Sequence, residues 1–283
     1  MSGYRLASGG RIDRDRRLEF TFNGRPMAGY AGDTLASALI ANGVDIVARS
    51  FKYRRPRGIV AAGAEEPNAI LQLGCGARTR PVQRATQTEL HYGLSARTVN
   101  GWPSAETDLT AVLDRASRLL PAGFYYKTFK WPASGWKHYE HVIRAGAGLG
   151  YAPDDADADR YDRINAHCDV LVVGAGPAGL SAALAAGYSG ARVILADEGS
   201  EFGGSLLSAA EHIDGAPATD WIARARAELA AMPEVTLLPR STVFGYYDHN
   251  FLTLVERLTD RLRQTMHVGL AGPVESGQVA RRV

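Results

Sequence analysis

The segment at residues 174–179, Gly-Ala-Gly-Pro-Ala-Gly, has the glycine spacing of a loop that binds a pyrophosphate. In such a loop Gly174 permits a tight turn, Gly176 lets the backbone approach the phosphates, and Gly179 lets the next helix pack closely on the preceding strand. Free N–H groups and the partial positive charge at the helix N-terminus then stabilise the anion. One such motif is weak evidence in a chain with 31 glycines, so the flanking residues decide.

The flanking residues follow the order that this chemistry requires. Residues 169–173 (DVLVV) are typical of a buried parallel strand, and residues 180–189 predict an alanine-rich helix that Gly190 closes. Residues 191–196 (ARVILA) then predict a second strand. The pattern predicts a βαβ dinucleotide-binding unit at residues 169–204, with a degenerate fold that has lost its ligand as the alternative.

Acidic and polar residues follow the second strand, where a ribose is expected. Asp197 stands where a carboxylate accepts hydrogen bonds from ribose hydroxyls. Asp197 and Glu198 would also repel a 2′-phosphate, which favours NAD or FAD over NADP. A second glycine pair, Gly203 and Gly204, would bring the next loop close to the nucleotide, and Ser205 offers a hydroxyl.

The first residues of the chain predict a β-hairpin. Apolar residues alternate with polar ones at Leu18, Phe20 and Phe22. Asn23-Gly24 supplies a two-residue turn, after which residues 27–30 return as the second strand.

A helix is predicted to follow the hairpin, with Asp33 or Thr34 as its N-cap and Gly43 just past its end. Its apolar face is expected to consist of Leu35, Leu39 and Ile40. Residues 44–47 then predict another strand. The order of hairpin, helix and strand is that of a β-grasp or ferredoxin-like module.

Residues 51–58 (FKYRRPRG) are basic with interleaved aromatic residues. A solvated or salt-bridged loop is the favoured interpretation, with a surface for an anionic cofactor or partner as the alternative. Nucleic-acid binding is disfavoured because the formal net charge of the whole chain is only +2.

Residues 101–166 are interpreted as a connecting arm and linker. A helix is predicted at residues 108–119, and a dense aromatic run follows at 124–139, which favours packing across another domain or subunit. The acidic stretch at 154–159 lacks the glycine and terminal glutamate of a calcium-binding loop, so it is interpreted as a solvated linker.

The residues after the βαβ unit continue an α/β pattern. A helix is predicted at 221–232 with Asp220 or Thr219 as its cap, and strands are predicted at 235–238 and 242–244. Residues 246–255 predict a hairpin turned at 248–250. The expected organisation, of mixed α/β and α+β class, is a β-grasp domain at 1–100, the arm at 101–166 and a dinucleotide-binding domain at 167–283.

Composition excludes several classes of function. The chain has 32 basic and 30 acidic residues, no apolar stretch that predicts a signal peptide and no run long enough to span a membrane, so a cytoplasmic location without membrane or nucleic-acid partners is expected. Cys75 and Cys168 are interpreted as small buried residues, without a disulfide or metal site. No catalytic triad or carboxylate pair is found, so no catalytic residue is assigned.

Several blocks carry a family resemblance. They are LEFTFNGRPMAGYAGDTLASALIANGV (18–44), SFKYRRPRGIVAAGAEEPNAILQLG (50–74), FYYKTFKWP (124–132), the glycine motif with DEGSEFGGSLL (197–207), and STVFGYYDHNF (241–251). With these blocks in this order, the chain resembles the N-terminal part of the α subunit of heterotetrameric sarcosine oxidase.

The resemblance implies oxidative demethylation of sarcosine to glycine with O₂ and tetrahydrofolate, giving methylenetetrahydrofolate and hydrogen peroxide. It implies NAD on this chain, covalent FMN and a separate FAD on the β subunit, and β, γ and δ subunits as partners. The NAD contacts that it implies are Ala178, Asp197, Glu198, Gly199, Ser205 and Val243, with Val243 serving the adenine through its backbone. Gly199 departs from the longer side chain common in the family, so its contact would be through the backbone.

Two other features differ from related chains. Some related β-grasp domains hold a [2Fe–2S] cluster with cysteines in the stretch that here is residues 61–69, where no cysteine stands, so a cluster-free module is expected. Family α chains also continue through a further strand of the nucleotide domain and on to a folate-binding domain. The chain is therefore expected to be a fragment with an incomplete FAD/NAD(P)-binding Rossmann-type domain.

Two alternatives remain open. One is the α subunit of a related amine or opine dehydrogenase, with FAD at the glycine motif. The other is a non-catalytic structural subunit in which a bound nucleotide serves as a stabiliser and the aromatic run as an assembly surface.

Overall fold

The computed structural model describes residues 4–112, 123, 129, 131–156, 160–258 and 279–282. The chain divides into two compact units, Met1–Asp157 and Ala158–Val283. Each unit contains its own hydrophobic core.

The first unit is built around a five-stranded sheet. Among the described residues, its helices are α1 (Leu35–Ala41) and α2 (Trp136–Ala147), and its strands are β1 (Asp13–Phe22), β2 (Arg25–Ala31), β3 (Ala48–Arg49), β4 (Pro56–Arg57), β5 (Ile70–Leu73), β6 (Arg80–Arg84) and β7 (Ser95–Arg97). The sheet order is β2-β1-β7-β5-β6, with β1 and β7 parallel at the centre and β1 antiparallel to β2. This is the strand order of a β-grasp module, as the sequence predicted.

The predicted hairpin and helix of the first unit are confirmed. Leu18, Phe20 and Phe22 are all buried in the core. Asn23 and Gly24 both have positive φ, as a two-residue hairpin turn requires. Of the two predicted N-caps for α1, Thr34 is the one used, because its side chain accepts a hydrogen bond from the Ser37 amide at 3.1 Å.

Two details of this region were predicted wrongly. Ile40 is 42% exposed, because the buried face of α1 consists of Leu35, Ala36, Ala38 and Leu39. Residues 44–47 form no strand. Val44 and Val47 do bury their side chains, but the Val44 amide donates to the Leu39 carbonyl at the end of α1, and the short strand β3 begins only at Ala48.

The basic segment at 51–58 is partly salt-bridged. Arg54 is buried, and its Nε donates to Oδ2 of the buried Asp108 at 2.9 Å. Lys52 and Arg55 lie over the ring of Tyr53. Arg54 therefore has a structural role, which fits the favoured interpretation of this loop.

Most of the predicted helix at 108–119 and part of the aromatic run lie outside the described residues. Within the described part, Trp131 is 84% exposed and Trp136, at the start of α2, is 55% exposed. Packing of this run against another domain or subunit stays a prediction.

The second unit holds a parallel sheet and a second, mixed sheet. In the described part of this unit, the helices are α3 (Pro177–Tyr188) and α4 (Ala218–Ala231), and the strands are β8 (Arg160–Arg163), β9 (Val170–Val173), β10 (Val193–Ala196), β11 (His212–Ile213), β12 (Ala216–Pro217), β13 (Val235–Leu238), β14 (Ser241–Tyr247), β15 (Phe251–Arg257) and β16 (Val279–Arg282). The parallel sheet has the order β13-β10-β9, and the mixed sheet has the order β14-β15-β16-β8.

The predicted βαβ unit is therefore present, since α3 connects the parallel strands β9 and β10 in register from Val170 opposite Val193. Helices α3 and α4 contribute to a core that includes Leu180, Leu195 and Leu229. The strands at 235–238 and 242–244 and the hairpin turned at 248–250 also match the prediction.

The burial of β9 and the start of α4 differ from the predictions. All four residues of β10 are buried because the strand lies between two others, but β9 is half-buried and its Val173 is 59% exposed. Within the described residues, β9 pairs with β10 alone. Helix α4 begins at Ala218 with Pro217 as its N-cap, and Asp220 lies inside its first turn, where a negative charge favours the helix dipole.

Candidate dinucleotide-binding site

The glycine motif forms the turn between β9 and α3. Gly174 has a φ of +96°, and its amide donates to the Ala196 carbonyl at 2.8 Å, which ties the turn to the end of β10. A Cβ added at Gly179 would overlap the carbonyl oxygen of Gly174. Both positions therefore require glycine, one for its backbone conformation and the other for close packing of helix and strand.

The second glycine pair lies directly against the first motif. Gly203 has a φ of +135°, and its amide donates to the Ala175 carbonyl at 2.8 Å. A Cβ added at Gly204 would lie 2.9 Å from the Cα of Gly176. The structure thus brings the predicted glycines of both loops together as a cradle of bare backbone.

The N-terminus of α3 opens at this cradle. Gly176 is its N-cap, Pro177 is its first residue, and no side chain caps the helix. The first hydrogen bond within the helix runs from the Leu180 amide to the Gly176 carbonyl at 2.9 Å. The amides of Ala178 and Gly179 belong to the first turn, whose N–H groups have no acceptor inside a helix, and such groups favour a phosphate.

Asp197 is placed at the end of β10, beside the glycine motif. Its Oδ2 accepts a hydrogen bond from the Ala175 amide at 2.6 Å, and its Oδ1 accepts one from the Gly199 amide at 2.7 Å. A carboxylate offers about four acceptor sites, so capacity remains for ribose hydroxyls. The sequence indicated Asp197 as a ribose ligand but gave no signal for its contact with Ala175.

Backbone hydrogen bonds join the loop at 197–199 to the start of β14, the strand that contains Val243. The Arg240 amide donates to the Gly199 carbonyl at 2.8 Å, and the Ser241 amide donates to the Asp197 carbonyl at 2.7 Å. These bonds hold the start of β14 beside the loop at 197–199, and Val243 lies two residues further along that strand, half-buried.

Three further predicted contacts, Glu198, Gly199 and Ser205, differ in exposure and in the space around them. A Cβ added at Gly199 would lie 2.9 Å from Oδ1 of Asp197, so a longer side chain would displace that carboxylate. Glu198 is half-buried, and its carbonyl accepts a hydrogen bond from the Arg257 guanidinium. Ser205 is exposed in the short turn Gly204–Leu207, next to the glycine pair.

The two cysteines differ from each other. Cys75 is exposed, so the prediction that it is buried was wrong. Cys168 is half-buried, and burial raises the pKa of its thiol.

Across the part of the chain that the structure describes, no three His, Cys, Asp or Glu side chains come together as a metal site, and no helix has the length and hydrophobicity that crossing a bilayer requires.

Two family models match the chain, one in each unit. Residues 15–101 match a 2Fe-2S iron-sulfur cluster binding domain, and residues 169–261 match an FAD dependent oxidoreductase. The second match covers the glycine cradle, Asp197 and Val243.

Three curated proteins are similar over nearly the whole chain, and each is named sarcosine oxidase subunit alpha. The protein from Rhizobium meliloti is 56% identical over 93% of this chain and 27% of its own length. Two from Corynebacterium species are 37% and 39% identical, over 98% and 96% of this chain and 23% of their own lengths. The chain thus spans about a quarter of the length of the curated relatives that it matches.

Among solved structures, the L-proline dehydrogenase of P. horikoshii is similar with a TM-score of 0.47 and 13% sequence identity. The similarity covers 88% of this chain and 38% of that one.

Proposed function

Because the chain belongs to the family of sarcosine oxidase α subunits, we propose that it is the NAD-binding α subunit of a flavoenzyme that oxidises sarcosine. The proposed reaction converts sarcosine to glycine with O₂ and tetrahydrofolate, and gives methylenetetrahydrofolate and hydrogen peroxide. The proposed partners are β, γ and δ subunits, with FMN and FAD on the β subunit.

One observation carries the assignment of a nucleotide to this chain. The glycine motif and the second glycine pair form a cradle of backbone at the N-terminus of a helix that no side chain caps, and a carboxylate with spare acceptor capacity lies beside it. These residues fit an adenine dinucleotide, because its pyrophosphate needs amide donors and its ribose needs a carboxylate.

The residues of the site have separate proposed roles. The amides of Ala178 and Gly179 would hold the pyrophosphate, Asp197 would accept hydrogen bonds from the adenosine ribose, and the backbone at Val243 would contact the adenine. Glu198, the backbone of Gly199 and the hydroxyl of Ser205 would complete the proposed contacts. A bound dinucleotide can supply a hydride-accepting ring, and this chain's residues would anchor the adenosine and diphosphate part of it.

NAD is proposed over NADP and over FAD at this site. The Asp197 carboxylate would repel a 2′-phosphate, which argues against NADP. The choice between NAD and FAD rests on the family resemblance, while the match to an FAD dependent oxidoreductase supports a flavin in the enzyme.

Turnover of the purified complex tests the proposed reaction. With sarcosine and O₂, we expect oxygen uptake together with glycine and hydrogen peroxide, and methylenetetrahydrofolate when tetrahydrofolate is added. If sarcosine is oxidised with an artificial electron acceptor but not with O₂, the dehydrogenase alternative is correct instead.

The second candidate is a non-catalytic structural subunit, in which the bound nucleotide is a stabiliser and the aromatic run is an assembly surface. The exposure of Trp131 and Trp136 favours such a surface. This candidate predicts that Asp197→Ala reduces nucleotide retention and assembly of the complex, while the complex that does assemble keeps its turnover. Loss of turnover in fully assembled Asp197→Ala complex would exclude it.

A further inference from the structure

A buried carboxylate lies at the centre of the loop that joins β4 to β5. The Glu66 side chain is almost fully buried, and both of its oxygens accept hydrogen bonds from backbone amides. Oε2 accepts from Val60 at 2.8 Å and from Ala61 at 2.7 Å, and Oε1 accepts from Asn68 at 2.8 Å and from Ala69 at 3.1 Å. One side chain therefore gathers amides from both ends of the segment.

These amides stabilise the ionised form of Glu66. Burial raises the pKa of the carboxyl group, but the hydrogen bonds from the amides of Asn68, Val60, Ala61 and Ala69 outweigh it and lower the pKa below the ordinary value. The groups that lower this pKa are backbone amides rather than charged side chains. The segment therefore surrounds an internal anion with N–H dipoles.

The residues of this segment do not fit an iron–sulfur cluster, although residues 15–101 match a family model for a 2Fe-2S binding domain. A [2Fe–2S] cluster takes four ligands, usually thiolates. Residues 15–101 contain a single cysteine, Cys75, which lies outside the segment and is exposed. Four amides of the segment are already hydrogen-bonded to Glu66.

We propose that the Glu66 carboxylate organises residues 60–69 from within, in a unit whose family model describes a 2Fe-2S cluster binding domain. The negative charge of Glu66 accepts hydrogen bonds from the loop amides, so the segment folds without iron. A β-grasp module organised in this way has no electron relay at this position. The proposal is independent of the nucleotide site in the second unit.

Amide hydrogen exchange of the intact protein tests the proposal with Glu66→Gln and the matched control Glu65→Gln. Glutamine has nearly the same shape, but its NH₂ group would face two N–H donors, so one pair of amides loses its acceptor. We expect exchange at two or more of Val60, Ala61, Asn68 and Ala69 to accelerate about tenfold or more in Glu66→Gln. Glu65 is exposed, and its side chain accepts a hydrogen bond from the Gly63 amide, which is not one of these four amides. Glu65→Gln should therefore leave exchange at the four amides unchanged.

Unchanged exchange at all four amides in Glu66→Gln would overturn the proposal. If Glu66→Gln folds poorly, the wild-type protein still provides a test, because the amides of Ala61 and Ala69 should exchange far more slowly than that of exposed Ala62. Equal exchange at these three residues would contradict the proposed role of Glu66.

Reconstitution with ferrous iron and sulfide under anaerobic conditions provides the second arm of the test. We expect the intact wild-type protein to acquire no iron–sulfur absorbance and, after reduction, no cluster signal in electron paramagnetic resonance. A cluster bound to residues 60–69 would overturn the proposal, whatever the exchange data show.

Discussion

Asp197 accepts one hydrogen bond from each of two loops, from Ala175 in the glycine motif and from Gly199 in its own turn. The side chain proposed to bind the ribose thus also holds the shape of the cradle. Removing it should weaken nucleotide binding in two ways, by loss of the ribose contact and by release of the Ala175 amide.

For Asp197→Ala, we expect the affinity for NAD to fall about 10- to 100-fold, because a hydrogen bond to a charged group contributes about 1.5–3 kcal/mol. Isothermal titration calorimetry of the intact protein, after its bound nucleotide has been removed, measures this change. Glu211→Ala is the matched control, since Glu211 is an exposed acidic residue of the same unit and is not one of the proposed nucleotide contacts. Equal affinities in the two variants would contradict the role of Asp197.

Glu66 should make the stability of the first unit depend on pH in the acid range. Its pKa in the folded protein is lower than the ordinary value of 4.5, so its contribution is complete above that value and is lost as the pH falls through the folded pKa. The difference in free energy of unfolding between wild type and Glu66→Gln should therefore be largest near neutral pH and shrink below pH 4.5. Denaturant titrations over this pH range provide the measurement, and a constant difference would argue against the lowered pKa.

At the scale of elements, the contact between β9 and α3 depends on Gly179. A methyl group there would meet the carbonyl oxygen of Gly174, which is backbone and cannot move without deforming the turn. Gly187, in the same helix, differs because an added Cβ would meet the Sδ of Met232 at 2.5 Å, the far end of a flexible side chain.

We expect Gly179→Ala to reduce the free energy of unfolding by about 3 kcal/mol or more, because overpacking against fixed atoms forces the backbone to shift. Gly187→Ala should cost far less, since the gain in helix propensity of about 1 kcal/mol offsets the displacement of Met232. Urea titrations of both variants make the comparison, and equal losses would mean that the helix does not pack as closely as the structure shows.

The sequence predicted the elements that depend on local patterns. The alternation at 18–22, the turn at Asn23-Gly24 and the glycine spacing at 174–179 each determine their structure through neighbouring residues, and all three predictions are confirmed. Gly176 follows β9 and Gly204 follows β10. Because these two strands are adjacent and parallel, the loops after them lie at the same edge of the sheet, and this brings Gly204 onto Gly176.

Other features depend on tertiary contacts that no local pattern contains. The apolar run of β9 resembles that of β10, yet β9 is half-buried. Within the described residues, β9 has a neighbouring strand on one side only, whereas β10 has one on each side. The apolar residues around Glu66 are small, namely Val60 and four alanines within residues 60–69. The segment gives no sequence signal that Glu66 is buried, since its partners are backbone amides. From sequence alone, a glutamate in a loop that precedes a strand is expected to be exposed, because charged residues are rarely buried.

At the scale of the whole molecule, the chain combines two modules with separate roles. The β-grasp unit is proposed to fold around a carboxylate, and the second unit is proposed to hold a dinucleotide. The curated relatives are about four times as long as this chain, so the full reaction is proposed for the assembled enzyme and not for these residues alone.

The identity of the nucleotide released by denaturing the intact purified complex tests the central claim most directly. We predict that wild type and Glu211→Ala release both NAD and FAD, and that Asp197→Ala loses NAD but retains FAD. Chromatography with mass detection distinguishes the two nucleotides. Wild type that releases FAD without NAD, or Asp197→Ala that loses FAD and keeps NAD, would contradict the assignment of NAD to the glycine cradle of this chain.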